Sequence, residues 1–315
     1  MLSIVTVTRN TAELLAGLLI SIRNDVPLRP LLREIIVVDN ASTDGTDQLV
    51  NETFPEVRYL RNHENKGFAA AANQGASMAS GDFLLFLNSD TRLLPGEIES
   101  VLSLMKGDAT IGVAGPQLVY EDMRPQRSIA SAPSLLPEVL PFFALALMFP
   151  AKYGARRATS SSLSDVESVI GAAMFVRADV MHILGGFDER FFFFLEETDF
   201  CVRAKQRGYR VLFSPSARVI HLHGKTVRQT WVAGRIEYAI SLYKFIKKYH
   251  SDAYYRAFVL VRLLKSLLFL IIATLLPFLL VSESMRRKYS YYRQLLLWHV
   301  KRFPDDAGLR SSSLK

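Results

Sequence analysis

A chain of 315 residues, half of them hydrophobic, is long enough for one large α/β domain or a domain with an appendage, and it supports a substantial core. The formal charge of +8 is unevenly spread, with Lys244, Lys247, Lys248, Arg262, Lys265, Arg286, Arg287 and Lys288 beside apolar runs; that placement points to an anionic membrane surface, whereas nucleic acid has no zinc spacing or Arg-rich arm to support it. The single cysteine, Cys201, excludes an internal disulfide and makes a reducing cytoplasm the natural home, and the opening MLSIVTVTRN lacks the basic region and long apolar core of a signal peptide.

In chain order, residues 2–8 alternate apolar with small β-branched side chains and predict a strand. Residues 11–22 carry leucines at helical spacing, with Thr11 as N-cap and Glu13 in the first turn. Residues 34–38 (EIIVV) are continuously apolar, the pattern of a parallel strand covered on both faces. The turn-rich DNASTDGT and another helix start follow. Residues 57–61 predict a third strand, the alanine-rich 67–80 a helix, and 83–87 (FLLFL) a fourth strand. Such alternation over the first 90 residues means a right-handed, mostly parallel, doubly wound sheet. Ligands of these sheets bind at the carboxyl ends of strands, where Thr8, Arg9, Asp39 and Asp90 fall.

From 115 to 127 the pattern turns irregular. Residues 134–150 are apolar but broken by Pro137, Pro141 and Pro150, too interrupted to span a bilayer, and are expected to form a lid or membrane-facing loop. Residues 154–168, rich in Ser and Arg, are expected to be mobile. A strand over 169–177, a helix ending near Gly185-Gly186, a helix over 198–207 stopped by Gly208 and a strand over 209–214 follow. After 225 the chain becomes helical. Residues 258–281 are strongly apolar, yet the uncharged stretch 266–282 has 17 residues, just short of a single crossing. Basic flanks and the Tyr-rich YSYYRQLLLW suit a helix lying in the interface or a hairpin. The competing reading is a buried helix packed on the rest of the chain or on another subunit of a homo-oligomer.

Several side chains carry chemistry. Asp39 leaves a strand end as a carboxylate able to accept an N–H from a planar base, with Ser42, Asp44 and Thr46 in the same turn; Asx-turns and an N-cap produce a similar composition. In NHENKGFAAAANQG, Gly67 lets the backbone approach a ligand, and Asn73 lies on a helix face that looks back toward the loop; an ordinary alanine-rich helix opening on glycine reads the same way. Asp90 in LFLNSD suits one divalent cation held against substrate phosphates, or else opens a turn before Pro95-Gly96. Glu196, Glu197 and Asp199 crowd a helix entry, which the helix dipole favours. Four phenylalanines, 191–194, stand just before them, and desolvation beside aromatic walls raises a carboxylate pKa toward one useful for proton abstraction. His221 and His223 in VIHLHGKT fall on one side of a strand, as metal ligand and phosphate donor or as two hydrogen-bonded loop residues.

Taken in order, VTVTRN, IIVVDNASTDGT, NKGFAAAANQG, LFLNSD, IGAAMFVR and GGFDERFFFFLEETDFCVRAKQRGY resemble the successive blocks of family-2 glycosyltransferases over roughly residues 1–230, in the flavour of the bacterial rhamnosyltransferase-like branch that builds cell-surface polysaccharides. The resemblance implies a GT-A, Rossmann-like α/β fold with a doubly wound, mostly parallel sheet as a catalytic domain over 1–230; beyond it, the apolar run and its basic flanks predict C-terminal membrane-associating helices over 231–315. It implies that Thr8 and Arg9 line the nucleotide pocket, that Asp39 contacts the base, and that Asp44, Asn65, Gly67 and Asn73 face the nucleotide sugar. Asp90 matches the last residue of the metal motif, for Mg²⁺ or Mn²⁺, with Asn88 standing where many relatives carry Asp. Ala172 belongs to a small-residue block beside the sugars. Glu197 falls where relatives carry the catalytic Asp, Glu196 is the alternative, and Asp199 and Arg203 support the motif. His221 or His223 lies near the metal and phosphates.

The same resemblance implies inversion in one displacement. The donor would be a dTDP- or UDP-linked sugar, rhamnose among the candidates, and the acceptor a lipid-linked or glycan hydroxyl at the cytoplasmic face of the cell membrane. A nucleotidyltransferase would show a Gly-rich basic loop after the first strand, where this chain has VTRNTAELL. An inactive, membrane-tethered glycan-binding module would have lost Asp90 or the acidic cluster, and both are present.

Overall fold

Strands covered on both faces are apolar without alternation, and β1 (Leu2–Thr8) and the second half of β2 (Leu32–Asp39) are buried accordingly. Between them runs α1 (Ala12–Asn24), which buries Leu15, Leu18, Leu19 and Ile22, one helical stripe. The alternation continues through α2 (Thr46–Thr53), β3 (Arg58–Arg61), α3 (Phe68–Met78) and β4 (Phe83–Leu87). These four strands are mutually parallel in the order β3-β2-β1-β4, the half-sheet that the sequence pattern predicts. The computed structural model describes residues 1–150, 162–222, 231–301, 303–305 and 307–312.

The second half of the sheet is less regular. After β5 (Thr91–Leu93) and α4 (Glu99–Gly107), β6 (Ile111–Val119) is buried throughout. The stretch from 115 that reads as irregular in sequence is thus partly strand. Pro116 supplies no N–H, and β6 tolerates it because the partner strand shifts register between Ser214 and Arg218, opposite Pro116 and Gln117. Gly115 is required by packing, since a Cβ there would lie 2.7 Å from Val169 Cβ.

The short β7 (Ile129–Ala130) comes next, then α5 (Leu136–Val139) and α6 (Phe142–Met148). Residues 162–168, expected to be mobile, instead contain β8 (Ser164–Asp165) and the start of β9 (Ser168–Val169), whereas 154–161 lie outside the described residues. The strand predicted over 169–177 is split by a turn at Gly171-Ala172 into β9, which pairs with β7, and β10 (Ala173–Arg177), which inserts antiparallel between β4 and β6. Then come α7 (Ala178–Ile183), α8 (Glu196–Gln206) and β11 (Arg210–His221). The full order is β3-β2-β1-β4-β10-β6-β11-β5, with β8 on β11. One face of this sheet holds a continuous core that includes Ile4, Leu18, Leu85, Phe175 and Leu212.

Contacts divide the chain into two units: Met1–Ala132, Ala151–Glu189 and Glu196–His223, which contain the sheet, and Pro133–Pro150, Arg190–Leu195 and Gly224–Lys315, whose described regular elements are all helices. The helical unit comprises α5, α6, α9 (Trp231–Tyr249), α10 (Asp252–Leu275), a 3-10 turn (Pro277–Val281), α11 (Glu283–Val300) and α12 (Leu309–Ser312). Ser251 caps α10, its Oγ accepting from Tyr254 N–H. Pro277 ends the α10 run, because the residue before a proline is pushed out of the helical region. Arg262 is buried and donates to Glu138 Oε1 (2.7 Å) and to Tyr291 Oη (2.8 Å). That ion pair ties α5 to α10, so the proline-broken segment 134–150, expected to be a lid or loop, forms two short helices inside this unit. Breaking such a pair leaves a buried charge uncompensated.

Candidate active site

The loops after β1 and β2 are stitched to each other. Asn10 and Ala41 both hold left-handed backbone (φ 51° and 62°), rare for residues with a Cβ. Asn10 N–H donates to Ser42 Oγ (2.9 Å) and Thr43 N–H to Asn10 Oδ1 (2.8 Å). Asp44 accepts from Ala12 N–H (2.9 Å) and from the Thr46 hydroxyl (2.5 Å). Burial alone would raise the Asp44 carboxyl, but the bonds from Thr46 and Ala12 hold it below its ordinary value. Asp44 therefore caps α1 from the neighbouring loop. Thr11 occupies the N-cap position predicted for it, yet its hydroxyl bonds Thr8 Oγ1 (2.8 Å) and Ser89 Oγ (2.9 Å), a line of hydroxyls joining the carboxyl ends of β1 and β4.

Asp39 is fully buried. Its oxygens accept from Ser42 N–H (2.9 Å) and from the Tyr59 hydroxyl (2.5 Å), and burial, then this carboxylate, hold the Tyr59 phenol above its usual pKa. With both oxygens enclosed, Asp39 anchors the loop to β3. Arg9 is half-buried, which lowers its pKa. Asn40 Nδ2 donates to the Gly67 carbonyl (2.9 Å), and Gly67 N–H to Asn65 Oδ1 (3.1 Å), so the mouth of α3 joins the same edge. Gly67, at φ 85° and ψ 170°, occupies backbone space that only glycine enters cheaply. Asn73 points elsewhere. Its amide brackets Phe187, donating to the carbonyl (2.9 Å) and accepting from the N–H (2.8 Å), and it also reaches Glu189 (3.0 Å).

At the end of β4, Asn88 N–H donates to the Ala172 carbonyl (3.0 Å). Two residues on, Asp90 faces His221 across the β5–β11 pair: Leu222 N–H donates to the Asp90 carbonyl (2.9 Å), and His221 Nε2 stands 3.5 Å from Asp90 Oδ1. Both side chains are largely shielded, at 13% and 16% exposure. His221 is the last residue of β11, and His223 lies outside the described residues.

Glu196, Glu197 and Asp199 occupy the first turn of α8. Asp199 is fully buried and accepts from Arg203 Nε–H (2.7 Å); the rest of that guanidinium donates to the Leu184 and Gly186 carbonyls (2.8 Å each). Asp199 thus orients an arginine that braces the link from α7 to α8. Glu197 packs on Gly171: a Cβ placed there would meet Glu197 Cβ at 3.4 Å. Gly171 adjoins Ala172, which holds Asn88, two residues from Asp90. One hydrogen bond and one side-chain contact therefore connect the late acidic cluster to the strand-end carboxylate. The four phenylalanines lead into the other unit, where Phe194 stacks edge-on with Phe193 (4.6 Å) and Tyr238 (5.8 Å).

Two contributors escaped sequence reading. Tyr59 holds Asp39, and Gln126 Oε1 lies 3.1 Å from His221 Nδ1. Neither stands in a recognisable motif, and Gln126 falls in the stretch that looks irregular. Among the described residues no cluster of three or more His, Cys, Asp and Glu could hold a metal by itself. Among the described residues the candidate donors are the Asp90 carboxylate and the His221 imidazole, chemistry that suits Mg²⁺ or Mn²⁺ when phosphate oxygens and water fill the remaining positions. The residues fit such an ion.

Residues 3–178 match the model for glycosyl transferase family 2, and the chain belongs to that family. It is similar to N-acetylglucosaminyl-diphospho-decaprenol L-rhamnosyltransferase of Mycobacterium tuberculosis, 28% identical over 232 residues that cover 69% of this chain and 75% of the relative. Among solved structures it is similar to the mannosyltransferase PcManGT from Pyrobaculum calidifontis in complex with GDP-Man and Mn²⁺, with TM-score 0.60 and 19% identity over 96% of this chain and 87% of the other. It is also similar to GalNAc-T7 with UDP, GalNAc and Mn²⁺, with TM-score 0.54 and 19% identity over 70% of this chain and 43% of that one. The fold is GT-A, and the chain is a glycosyltransferase.

Proposed function

We propose that this glycosyltransferase moves a sugar, with inversion, from a dTDP- or UDP-linked donor to a hydroxyl of a lipid-linked or glycan acceptor. Rhamnose as the sugar and a polyprenol-diphosphate-linked acceptor are supported by the name of the mycobacterial relative. The observation that carries the reading is the connection of Glu197, through Gly171 and Ala172, to Asn88 and Asp90. It sets a candidate base beside the candidate diphosphate end.

In this scheme Glu197 accepts the proton of the acceptor hydroxyl as its oxygen attacks the anomeric carbon. The new C–O bond forms on one face while the bond to the phosphate breaks on the other, and the nucleoside diphosphate leaves with the electron pair. Asp90 and His221 would hold Mg²⁺ or Mn²⁺, which when bound neutralises charge growing on the departing phosphate. Glu196 remains the alternative base, and Asp199 holds Arg203. Thr8, Arg9, Asn65 and Gly67 frame the nucleotide side, with Asp39 and Asp44 shaping its loops and Asn73 bracing α3. Ala172 keeps bulk away from the sugars. The test is release of nucleoside diphosphate from dTDP- and UDP-sugars with Mn²⁺ and a polyprenol-linked acceptor, with the product anomer read by NMR. Retained anomeric configuration removes inversion, and no acceptor-dependent release from any donor removes the reading.

Membrane docking is the second part of the proposal. Among the described residues one helix, α10, is long and apolar enough to cross a bilayer, and 22% of its most apolar window is buried. Its exposed Leu260, Leu264, Leu268, Ile271 and Leu275 form one stripe, while Phe258, Arg262, Ser266 and Ala273 form the buried one. A crossing would drag the Arg262–Glu138 pair toward hydrocarbon. In the same unit α6 exposes Phe143 (76%) and Leu147 (82%). With Arg286, Arg287 and Lys288 exposed on α11, the unit suits a helix lying on an anionic leaflet at the cytoplasmic face.

A further inference from the structure

We propose that Gln126 is a positioning residue that sets which ring nitrogen of His221 faces Asp90. The inference rests on the reading of Asp90 and His221 as the cation end of the site. Gln126 is 5% exposed, and its backbone N–H is held by the Leu118 carbonyl (2.7 Å). Its side-chain Nε2 donates to the carbonyls of His221 (2.5 Å) and Val119 (3.1 Å). Carbonyls only accept, so the NH₂ end of the amide has to point at them, and the orientation of the group is decided by its surroundings. Oε1 is then the atom that faces His221 Nδ1 at 3.1 Å.

An amide oxygen has no proton to give, so Nδ1 donates. A neutral imidazole carries one N–H, which places its lone pair on Nε2, the nitrogen 3.5 Å from Asp90 Oδ1. Two lone-pair groups brought face to face make a favourable seat for a cation. Gln126 grips both the ring and the backbone carbonyl of the same histidine, so it fixes the ring's orientation and keeps the proton on Nδ1, leaving Nε2 as the nitrogen that a cation would meet. Partners of this kind, one bond behind a metal-ligating histidine, typically govern affinity by 10- to 100-fold.

The experiment uses the full chain. Long-range ¹H–¹⁵N spectra of ¹⁵N-histidine-labelled protein, with the His221 signals identified from His221→Ala, report the tautomer. Mn²⁺ binding in the presence of UDP or dTDP is followed by the loss of free-ion EPR signal in wild type, Gln126→Met and Asp90→Asn. The expected result is Nδ1-protonated His221 in the wild type and a Gln126→Met protein of native circular dichroism that binds Mn²⁺ about tenfold more weakly. Wild-type His221 protonated on Nε2 alone overturns the inference, and this outcome stands even where Gln126→Met does not fold. Undiminished Mn²⁺ binding by folded Gln126→Met, with binding lost in Asp90→Asn, overturns it too and spares the metal reading. Undiminished binding in Asp90→Asn overturns the metal reading instead, and the tautomer then still decides what Gln126 does to the ring.

Discussion

Glu196, Glu197 and Asp199 share one helical turn, and the helix dipole favours all three. Their neighbours divide the work. Asp199 is tied to Arg203 and fully buried, so Asp199→Ala should strand a guanidinium among backbone carbonyls and cost about 3 kcal/mol in urea unfolding. Glu197 lies on Gly171 instead. Glu197→Gln should leave donor affinity in calorimetry unchanged and lower turnover by roughly 10²- to 10⁴-fold; full turnover would move the base to Glu196. Asp90→Ala should abolish the divalent dependence of nucleotide-sugar binding, and equal affinity with and without chelator would take the metal out of the scheme.

Elements set these side chains in place through their ends. The loops after β1 and β2 and the start of α3 bond one another, so a change in one is felt by the others. Gly186 is the sharpest case. It holds φ 78°, and a Cβ there would stand 2.5 Å from Asn73 Oδ1, inside the amide bracket that ties α3 to Phe187. Gly186→Ala is expected to lower the melting temperature, with about 2 kcal/mol lost to left-handed backbone alone, whereas Gly171→Ala, facing ordinary contacts from 3.4 Å outward, should melt like wild type. At this scale the sequence was readable where period and strand-end polarity agreed, in β1, β2 and β4. It was unreadable in β6, because Pro116 breaks the local signal and only the register shift of β11 accommodates it.

For the whole molecule, charge and apolar exposure are segregated. Residues 231–315 carry 15 Lys and Arg against five Asp and Glu, a surplus that exceeds the +8 of the whole chain, so residues 1–230 are slightly acidic. Replacing Leu264, Leu268 and Leu275 by Gln should release the protein from anionic vesicles in flotation, and wild-type binding should weaken with salt. A salt-independent dimer that becomes monomeric in this variant would make the stripe a subunit contact instead. The helical unit should also respond to pH. Burial pushes the Glu237 carboxyl up to about 7, although Leu309 N–H and the Arg310 charge pull the other way. The folded state then binds more protons than the unfolded one between pH 4.5 and 7, so stability falls as pH rises through that window. Glu237→Gln keeps an acceptor for Leu309 N–H and should flatten the decline, gaining up to about 3 kcal/mol at pH 8 in thermal melts.

Periodicity and composition alone determined the parallel half-sheet, the strand-end positions of Asp39 and Asp90, the helix entry at Glu197 and the apolar tail, because each is a local pattern written within a few residues. Tertiary structure decided the rest: that Asp44 caps a helix, that Asn73 is a brace, that Glu138 pairs with Arg262 far along the chain, and that Gln126 orients His221. Those assignments depend on hydrogen-bond partners separated by tens of residues or more, and such pairings exist only once the backbone has closed around them.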